Sequence, residues 1–467
     1  MSMMAFLLSL FVAFQPMRYP AVSGMFYPSD PKALRDLVDT LIAKANPPKI
    51  EDNLLVLIVP HAGYRYSGHV AANAFKLLEN RDIDLVVLLG PSHRYPLRGI
   101  SVAPFASYRT PLGTIEVDTA LASKLIESGV ADSVKNAHVS EHSLEVELPF
   151  LQRVLKKDFK ILPVLVGYAR PEKYRDFAQK LVELIRGRKA IVIVSTDLSH
   201  YRPYDECVRI DSITISAILS MDPVELYNGY FEKRYELCGI FATVTGLFVA
   251  HELNASGIKL LKYANSAYVT KDSSRVVGYS AIAIYRKELL NEDERMFLLK
   301  VARDAIKARL EGKDPPNYKV TDPKLLERRG VFVTIMKNGM LRGCIGRHIS
   351  DKPLWRTVQD MAIAAAFHDP RFPPLRADEF DDIKIKISVY TSKPHPIPSY
   401  KDYIPGMHGI ILVKNGHQAT YLPEVPIEQC WTREETLSHL SVKAGLPPDA
   451  WKSGCSFYVY TTYRFSE

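Results

Sequence analysis

Four short runs of Val, Ile and Leu constrain the fold of the first 290 residues more than any other feature of the sequence. The runs cover residues 54–59, 85–89, 161–166 and 191–194. Uninterrupted apolar runs of this length are typical of strands that a sheet buries on both faces. Helical patterns separate the runs, at residues 32–45, 69–78, 119–128, 144–155 and 173–185, and a further apolar run at 276–285 predicts a closing strand. This alternation predicts an α/β fold, a three-layer sheet with helices on both faces.

Polar side chains follow three of these runs at the point where each run ends. The sequence VPHAGY places His61 after the first run, LLGPSHRY places His93 after the second, and VSTDLSHY places Asp197 and His200 after the fourth. In open α/β sheets the ligand crevice lies outside the carboxyl ends of the strands. A single histidine is more often a structural residue. Three histidines from three strands are nevertheless expected to converge on one crevice.

Two further segments carry side chains that suit a metal site. The segment EHSLEVELPFL places Glu141 and His142 at the start of a predicted helix, and ELCGIF places Cys238 before a glycine and a helical stretch of small residues at 242–250. A lone cysteine is usually buried and inert, so the pattern alone gives Cys238 no role. Imidazole and thiolate together are nevertheless a good ligand set for zinc, iron or copper.

The character of the sequence changes after residue 287. Residues 288–312 form a long charged amphipathic pattern that predicts a helix, and alternating strand patterns follow at 330–336, 383–390 and 457–464. These features predict a second, smaller α+β domain at residues 288–467, after a first domain at 18–287.

Charge and cysteine content narrow the compartment and the partners. The net charge of +8 is spread along the chain without a basic block or a reading motif, so no nucleic-acid partner is expected. The cysteine count is odd and no CxxC pair occurs, which argues against a disulfide framework and favours a reducing, cytoplasmic location. The five cysteines are Cys207, Cys238, Cys344, Cys430 and Cys455.

An apolar run at residues 3–14 precedes the first domain. A membrane-spanning helix needs about 20 apolar residues, and a secretory signal needs a basic start and a small-residue cleavage site, which this run lacks. We therefore interpret residues 1–17 as an apolar N-terminal extension and expect no membrane partner. Met17 is an alternative start of the chain.

Cys344 is the candidate reactive residue of the second domain. Gly343 and Gly346 beside it predict a tight backbone turn that presents the thiol at a surface, and the nearby Arg342 would favour the thiolate. The alternative is a structural turn with a small buried cysteine. The candidate neighbours of this thiol are Glu424, His368 and Arg371.

The order of motifs in the first domain resembles that of the Memo family (mediator of ErbB-driven cell motility). The motifs are AVSGMFYP, VPHAGYRYSG, LGPSHRYPL, YRTPLG, EHSLEVELPFL, ILPVLVG, STDLSHY, LCGI and VGYSA, spread over residues 18–287. This resemblance implies the fold of the class III extradiol dioxygenases, the LigB-like enzymes, in which two histidines and a carboxylate hold iron(II).

The same resemblance implies a ligand set for the first domain. It places His61 and His93 on the two histidine ligands, and Cys238 where the dioxygenases have a glutamate. It also places His142 and His200 beside the metal cleft. Because the third ligand departs from the dioxygenase pattern, ring cleavage does not follow from the resemblance.

The second half resembles the AMMECR family (named for the Alport-syndrome region). The motifs are RRGVFVTI, GMLRGCIG, AAAFHDPRFPPL, KISVYT, YLPEV, CWT and VKAGLP, over residues 290–467. Relatives of both families resemble parts of one system with a radical S-adenosylmethionine protein, which the resemblance implies as a partner. This chain lacks a CxxxCxxC cluster motif and would not be the radical enzyme itself.

These observations lead to one functional hypothesis and two alternatives. The leading hypothesis is a metal-dependent redox enzyme that acts on a small-molecule substrate, with iron or copper ahead of zinc. The alternatives are a non-catalytic scaffold that binds a peptide or ligand, and a hydrolase in which the metal activates water. The expected catalytic residues are His142, Asp197, His200 and Cys344. The sequence leaves the substrate and the oligomeric state open.

Overall fold

The computed structural model describes residues 16–50, 52–156 and 158–467. The chain divides into two compact units, the first ending at Arg286 and the second covering Lys287–Glu467. The predicted N-terminal extension lies outside the described residues except for its last two positions. Among the described residues, no helix combines the length and the apolar character that crossing a membrane requires.

The first unit is built on a seven-stranded mixed sheet in the order β3-β6-β2-β7-β1-β9-β8. Its strands, together with the separate hairpin β4-β5, are β1 (Asn53–Val59), β2 (Leu85–Gly90), β3 (Ile100–Val102), β4 (Ser107–Thr110), β5 (Gly113–Glu116), β6 (Lys160–Val166), β7 (Ala190–Ser195), β8 (Gly257–Asn265) and β9 (Gly278–Arg286). The four central strands β6, β2, β7 and β1 are parallel, whereas β3, β9 and β8 run antiparallel to their neighbours.

Helices cover both faces of this sheet. They are α1 (Pro31–Lys44), α2 (Tyr64–Phe75), α3 (Thr119–Glu127), α4 (Lys135–Val139), α5 (Leu148–Val154), α6 (Pro171–Ile185), α7 (Tyr204–Leu219), α8 (Pro223–Phe231), α9 (Ile240–Glu252) and α10 (Ala267–Thr270). Ile193 of β7 lies in the core that contains residues of α1 and α2. Its neighbour Val194 faces the other way, towards α9, where a Cβ on Gly246 would lie 2.4 Å from the Val194 side chain. The α/β fold with helices on both faces is therefore confirmed.

Two of the predicted helices have different limits. The pattern at 69–78 misses the first turn of α2, which begins at Tyr64 immediately after Gly63. The pattern at 144–155 overestimates α5, because a short 3₁₀ turn, Glu145–Glu147, precedes Leu148–Val154. Glu141 therefore lies before the helix, in irregular backbone, and not at its first turn.

The second unit contains two antiparallel four-stranded sheets, β11-β10-β12-β17 and β13-β16-β14-β15. Its elements are α11 (Glu292–Leu310), α12 (Pro323–Leu326), β10 (Val331–Lys337), β11 (Met340–Arg347), α13 (Leu354–Phe367), β12 (Ile383–Tyr390), β13 (His395–Ile397), β14 (Gly409–Lys414), β15 (His417–Tyr421), α14 (Glu424–Glu428), α15 (Arg433–Lys443), β16 (Ser456–Tyr460) and β17 (Thr462–Ser466). Helix α11 begins at Glu292 and not at 288 because the side chain of Asn291 caps it, accepting the N–H of Glu294 at 2.9 Å.

The prediction of one strand at 457–464 is wrong. The chain changes sheets within this segment, so Ser456–Tyr460 pairs with β14 while Thr462–Ser466 pairs with β12. The break falls at Thr461, whose N–H donates to Ser392 Oγ at 2.9 Å and whose carbonyl accepts from Thr391 at 2.9 Å. Apolar alternation continues through the break because both strands bury a face, although in different sheets.

The prediction of a tight turn around Cys344 is also wrong. Gly343 and Gly346 lie within β11, which pairs with β10 from Met340 to Arg347 with one bulge at Arg342. A Cβ on Gly343 would lie 2.1 Å from the carbonyl oxygen of Ala365 in α13. The glycine therefore allows the strand to approach the backbone of the helix, and it does not serve a turn.

We expect Gly343→Ala to destabilise the second unit by about 1–3 kcal/mol. The added methyl group would clash with the backbone of Ala365, which cannot move aside as a flexible side chain can. Met340→Ala on the same strand is the matched control, since Met340 is 71% exposed and its loss should change stability by less than about 0.5 kcal/mol. Urea unfolding followed by circular dichroism measures both. Equal stability of the two variants would contradict the close packing of β11 on α13.

Candidate metal centre

Three side chains from separate elements meet at the carboxyl edge of the parallel strands. His61 follows β1, His93 follows β2, and Cys238 immediately precedes Gly239 at the start of α9. Their ligand atoms all lie within 4.8 Å of one another, and Cys238 Sγ is 3.2 Å from His61 Nε2. A Cβ on Gly239 would lie 2.6 Å from the carbonyl oxygen of Ser195, so the glycine permits this approach to the end of β7.

A buried network fixes the ring of His61. Its Nδ1 lies 2.8 Å from Ser195 Oγ, which donates to the carbonyl of Ser143 at 2.6 Å and lies 2.9 Å from Glu147 Oε1. Burial raises the pKa of Glu147 well above its usual value. Because the carbonyl of Ser143 accepts the one proton of the Ser195 hydroxyl, we infer that Glu147 is protonated and donates to Ser195 Oγ. The hydroxyl oxygen then accepts from both Glu147 and His61 Nδ1–H. This tautomer leaves the lone pair of His61 Nε2 directed at Cys238.

An ionised carboxylate fixes His93 instead. Glu141 Oε1 accepts from His93 Nδ1 at 2.9 Å and from the backbone N–H groups of His142 and Ser143, each at 2.9 Å. Although burial opposes ionisation, the hydrogen bonds from His93 and from the Ser143 N–H lower the pKa of Glu141 to about 2. A carboxylate that orients a histidine in this way is a common support for a metal ligand.

Burial changes the protonation equilibrium of two of the three donors. Burial lowers the pKa of His61 well below its usual value, and the neighbouring His93, His142 and His200 lower it further. Burial and the charge of Asp197 raise the pKa of the Cys238 thiol. A bound metal ion would reverse that shift, because a coordinating thiol is deprotonated.

The spacing and exposure of the donors also suit a metal ion. Zinc bonds of about 2.0 Å to nitrogen and 2.3 Å to sulfur, at a tetrahedral angle, separate the two donors by about 3.5 Å. The observed separation of 3.2 Å between His61 Nε2 and Cys238 Sγ is close to this value. The His61 side chain is 2% exposed and that of His93 is 29% exposed. A further ligand can therefore reach the group from the His93 side.

His142 lies beside the ligand group. Its ring stacks on His93 at 4.6 Å between centroids and meets His61 edge-on at 5.4 Å. A second group, His93, Glu141 and His142, also has metal-ligand spacing. The Glu141 oxygens already accept hydrogen bonds from three residues, so the group with Cys238 is the better ligand set. Burial lowers the pKa of His142 to about 4.

Asp197 and His200 also lie near His61. Asp197 Oδ1 accepts the backbone N–H of His61 at 2.9 Å, and the backbone N–H of Asp197 donates to Cys238 Sγ at 3.2 Å. Burial raises the pKa of Asp197 to about 7. Burial also lowers the pKa of His200. The backbone N–H of His200 donates to a carboxylate oxygen of Glu236 at 3.2 Å. Neither side chain is a member of the three-ligand group.

Sequence reasoning missed two residues of this centre. Ser195 is the last residue of β7, and Glu147 lies in the segment EHSLEVELPFL, whose pattern indicates only Glu141 and His142 as candidates. The one signal in the sequence is that Ser195 is a polar residue at the end of an otherwise apolar strand.

The thiol of Cys344 lies in a different environment from the predicted one. Thr334 Oγ1 donates to its sulfur at 3.1 Å, and burial raises the pKa of the thiol. The expected effect of Arg342 is wrong, because that guanidinium pairs with Glu379 at 2.9 Å. A catalytic role for Cys344 stays a hypothesis.

Two of the three expected neighbours lie near Cys344. Arg371 donates to its carbonyl oxygen at 3.1 Å, and the charge of Glu424 raises the pKa of its thiol. His368 is exposed, and no contact between it and Cys344 occurs in the part of the chain that the structure describes.

Both halves of the chain match known families. A family model described as Memo-like protein matches residues 18–283, and one described as AMMECR1 matches residues 299–465. A MEMO1 family protein from Aquifex aeolicus is 39% identical over 262 residues, which is 56% of this chain and 97% of the relative. Another from Desulfurococcus amylolyticus is 37% identical over 280 residues, which is 57% of this chain and 99% of the relative.

Solved structures of uncharacterized proteins resemble parts of the chain. One from Pyrococcus horikoshii has a TM-score of 0.37 and 35% identity, and the match covers 38% of this chain and 94% of that one. One from Escherichia coli K12 has a TM-score of 0.34 and 14% identity, and the match covers 50% of this chain and 99% of that one.

The network behind His61 makes a sharp prediction about Glu147. Because the protonated carboxyl group acts as a donor, Glu147→Gln keeps the donor and should bind metal with unchanged affinity. Glu147→Met removes the donor, and Ser195→Ala removes the acceptor of His61 Nδ1–H, so both should weaken metal binding by about 10–100-fold. Competition with a chromophoric chelator measures the affinities. Equal weakening by Gln and Met would show that Glu147 acts as an ionised acceptor.

Proposed function

Because this chain belongs to the Memo family through residues 18–283, we propose that its first domain is a metal-dependent redox enzyme that acts on a small molecule and is related to the class III extradiol dioxygenases. The observation that supports this proposal is the approach of Cys238 Sγ to 3.2 Å from His61 Nε2, with His93 completing the group. Two oriented imidazoles and one thiol at the carboxyl edge of a parallel sheet form an open ligand set.

The ligand chemistry favours iron or copper, with zinc as the rival. A soft thiolate in place of a hard carboxylate favours copper(I) and tolerates iron(II), and the same donors bind zinc well. A redox-active ion bound there would supply electron exchange with a small molecule, whereas zinc would supply Lewis acidity. The thiolate is itself oxidisable, which accords with the reducing, cytoplasmic location that we propose.

The residues around the ligands have separate tasks in this proposal. His142 is neutral near pH 7, because burial lowers its pKa to about 4, so it can accept a hydrogen bond or a proton from a ligand near His93. Asp197 holds the backbone of His61 and donates its own N–H to the Cys238 sulfur. His200 also lies near His61 and can act as a second proton donor or acceptor.

Hydrolysis is the second candidate function. The observation that favours it is the presence of two histidines, His142 and His200, beside the ligand group and outside it. A neutral imidazole in that position can act as general base towards water. We propose for the second domain a role in the same pathway, with a radical S-adenosylmethionine protein as partner, and Cys344 as its candidate reactive residue.

We expect His61→Ala, His93→Ala and Cys238→Ala each to lose most of the bound metal. His69→Ala is the matched control, because it removes an imidazole of helix α2 that stacks on Tyr268 at 4.9 Å and belongs to neither of the two ligand groups found among the described residues. Elemental analysis of anaerobically purified protein measures the stoichiometry. Wild-type metal content in all three ligand variants would show that the site is misassigned.

The redox character is tested on metal-free protein reconstituted with iron, copper or zinc. Electron paramagnetic resonance and oxygen uptake with catechol-like substrates distinguish the forms. If only the zinc form is stable, and the iron and copper forms never change oxidation state, the redox proposal is wrong and hydrolysis takes its place. Failure of the wild type to retain any metal would leave a non-catalytic scaffold.

We expect His142→Ala and His200→Ala to keep most of the metal and to lose turnover by about 100-fold or more, the usual contribution of a general acid or base. Elemental analysis and steady-state rates on the same preparations separate the two effects. Complete metal loss in both variants would make these residues ligands and would contradict their assignment.

A further inference from the structure

Tyr201 is a strained and exposed aromatic residue next to His200. Its φ is +57°, in the left-handed region that bulky residues rarely adopt, and its side chain is 63% exposed. A buried ring could offset the backbone strain by packing, but an exposed one recovers little. Stability therefore does not account for a tyrosine at this position, and strain of this kind is a reason to look for a function.

An unpaired guanidinium lies over the same ring. Arg275 Cζ is 5.0 Å from the centroid of Tyr201, and Arg275 forms no ion pair with any residue that the structure describes. The loop that carries it is fixed to the loop after β7, because Val276 and Arg202 exchange backbone hydrogen bonds at 2.7 and 3.2 Å. These backbone hydrogen bonds therefore hold Arg275 next to Tyr201.

This pair lies at the edge of the metal cleft. The rings of Tyr201 and His200 meet edge-on at 5.8 Å between centroids. Burial raises the pKa of Tyr279, and the nearby Asp197 and Tyr201 raise it further, so both residues lie near this side chain. Tyr201 thus borders the cleft on the His200 side.

The guanidinium groups near the site differ in whether a carboxylate neutralises them. Arg202 is neutralised by Glu206 at 3.3 Å and by Glu236 at 3.1 Å. Arg275 has no such partner, and neither has Arg94 beside His93 among the described residues; the charge of Arg94 helps to lower the pKa of His142, after burial and other charges. An anion entering the cleft would therefore meet guanidinium groups that no carboxylate occupies.

We infer that Tyr201 and Arg275 form a recognition platform, in which the tyrosine ring holds the guanidinium and the guanidinium pairs with the carboxylate of a small molecule at the edge of the cleft. A guanidinium stacks on aromatic faces and matches a carboxylate with two parallel hydrogen bonds. The inference rests on the proposed function for the identity of the cleft. It goes further by specifying the substrate class as a carboxylic acid.

The test uses 2-naphthoate and its neutral isostere 2-naphthamide as probes, with the purified full chain and fluorescence titration. The wild type should bind naphthoate at least tenfold more tightly than naphthamide. Arg275→Gln and Tyr201→Asn should each abolish this preference. Arg35→Gln is the control of matched charge, since Arg35 is exposed on α1, and it should retain the preference.

Stability and metal content separate the platform from other roles. Because asparagine tolerates the left-handed region, Tyr201→Asn should melt at a temperature no lower than the wild type. A clear fall in melting temperature would make Tyr201 structural and overturn the inference, as would equal binding of the two probes by the wild type. A lost preference with unchanged metal content supports the platform. If the wild type holds no metal but prefers naphthoate, the platform stands and the proposed redox function fails.

Discussion

The parallel register of β1, β7 and β2 is the constraint on which the site depends. Val59 of β1 pairs with Ser195 of β7, and Leu89 of β2 pairs with Val194, so the three strands end at the same level. Residues that follow the strands are then neighbours, although 32 positions separate His61 from His93 and 136 separate His61 from Asp197. The hydrogen bonds behind them, above all that between His61 Nδ1 and Ser195 Oγ, act on groups that the sheet has already brought together.

This dependence explains how much of the centre the sequence predicts. Apolar runs identify buried strands, and a polar residue after each run is predicted to reach the common edge, as the positions of His61 and His93 show. Cys238 follows no strand, and it reaches the group only because Gly239 permits close contact with the end of β7. Only the resemblance to the Memo family indicates Cys238 as a ligand. The partnership of Ser195 with Glu147 depends on the packing of irregular backbone, for which the sequence has no periodic signal.

The second domain shows where periodic patterns mislead. Alternation of apolar residues indicates that one face of a strand is buried, but it does not indicate which sheet buries that face. The change of sheet at Thr461 is therefore not visible in the sequence pattern. Glycine is equally ambiguous, since it serves turns with a positive φ and also close approaches between backbones. Gly343 serves a close approach, because its backbone lies against the carbonyl oxygen of Ala365. The change of sheet and the close approach both depend on tertiary contacts, which residue type alone does not specify.

The charges of the centre connect its ligands with the platform at its edge. The ligand histidines are supported in two ways, His93 by the ionised Glu141 and His61 by the neutral pair Ser195 and Glu147. A divalent ion with one thiolate would carry a net charge of about +1, which the carboxylate of Glu141 and the partly ionised Asp197 would balance. The inner site would then exert little attraction on a second anion. The uncompensated charge lies outside it, on guanidinium groups such as Arg275, so the field along the cleft favours an anionic molecule that enters with its charged end at the edge and its body towards the ligands.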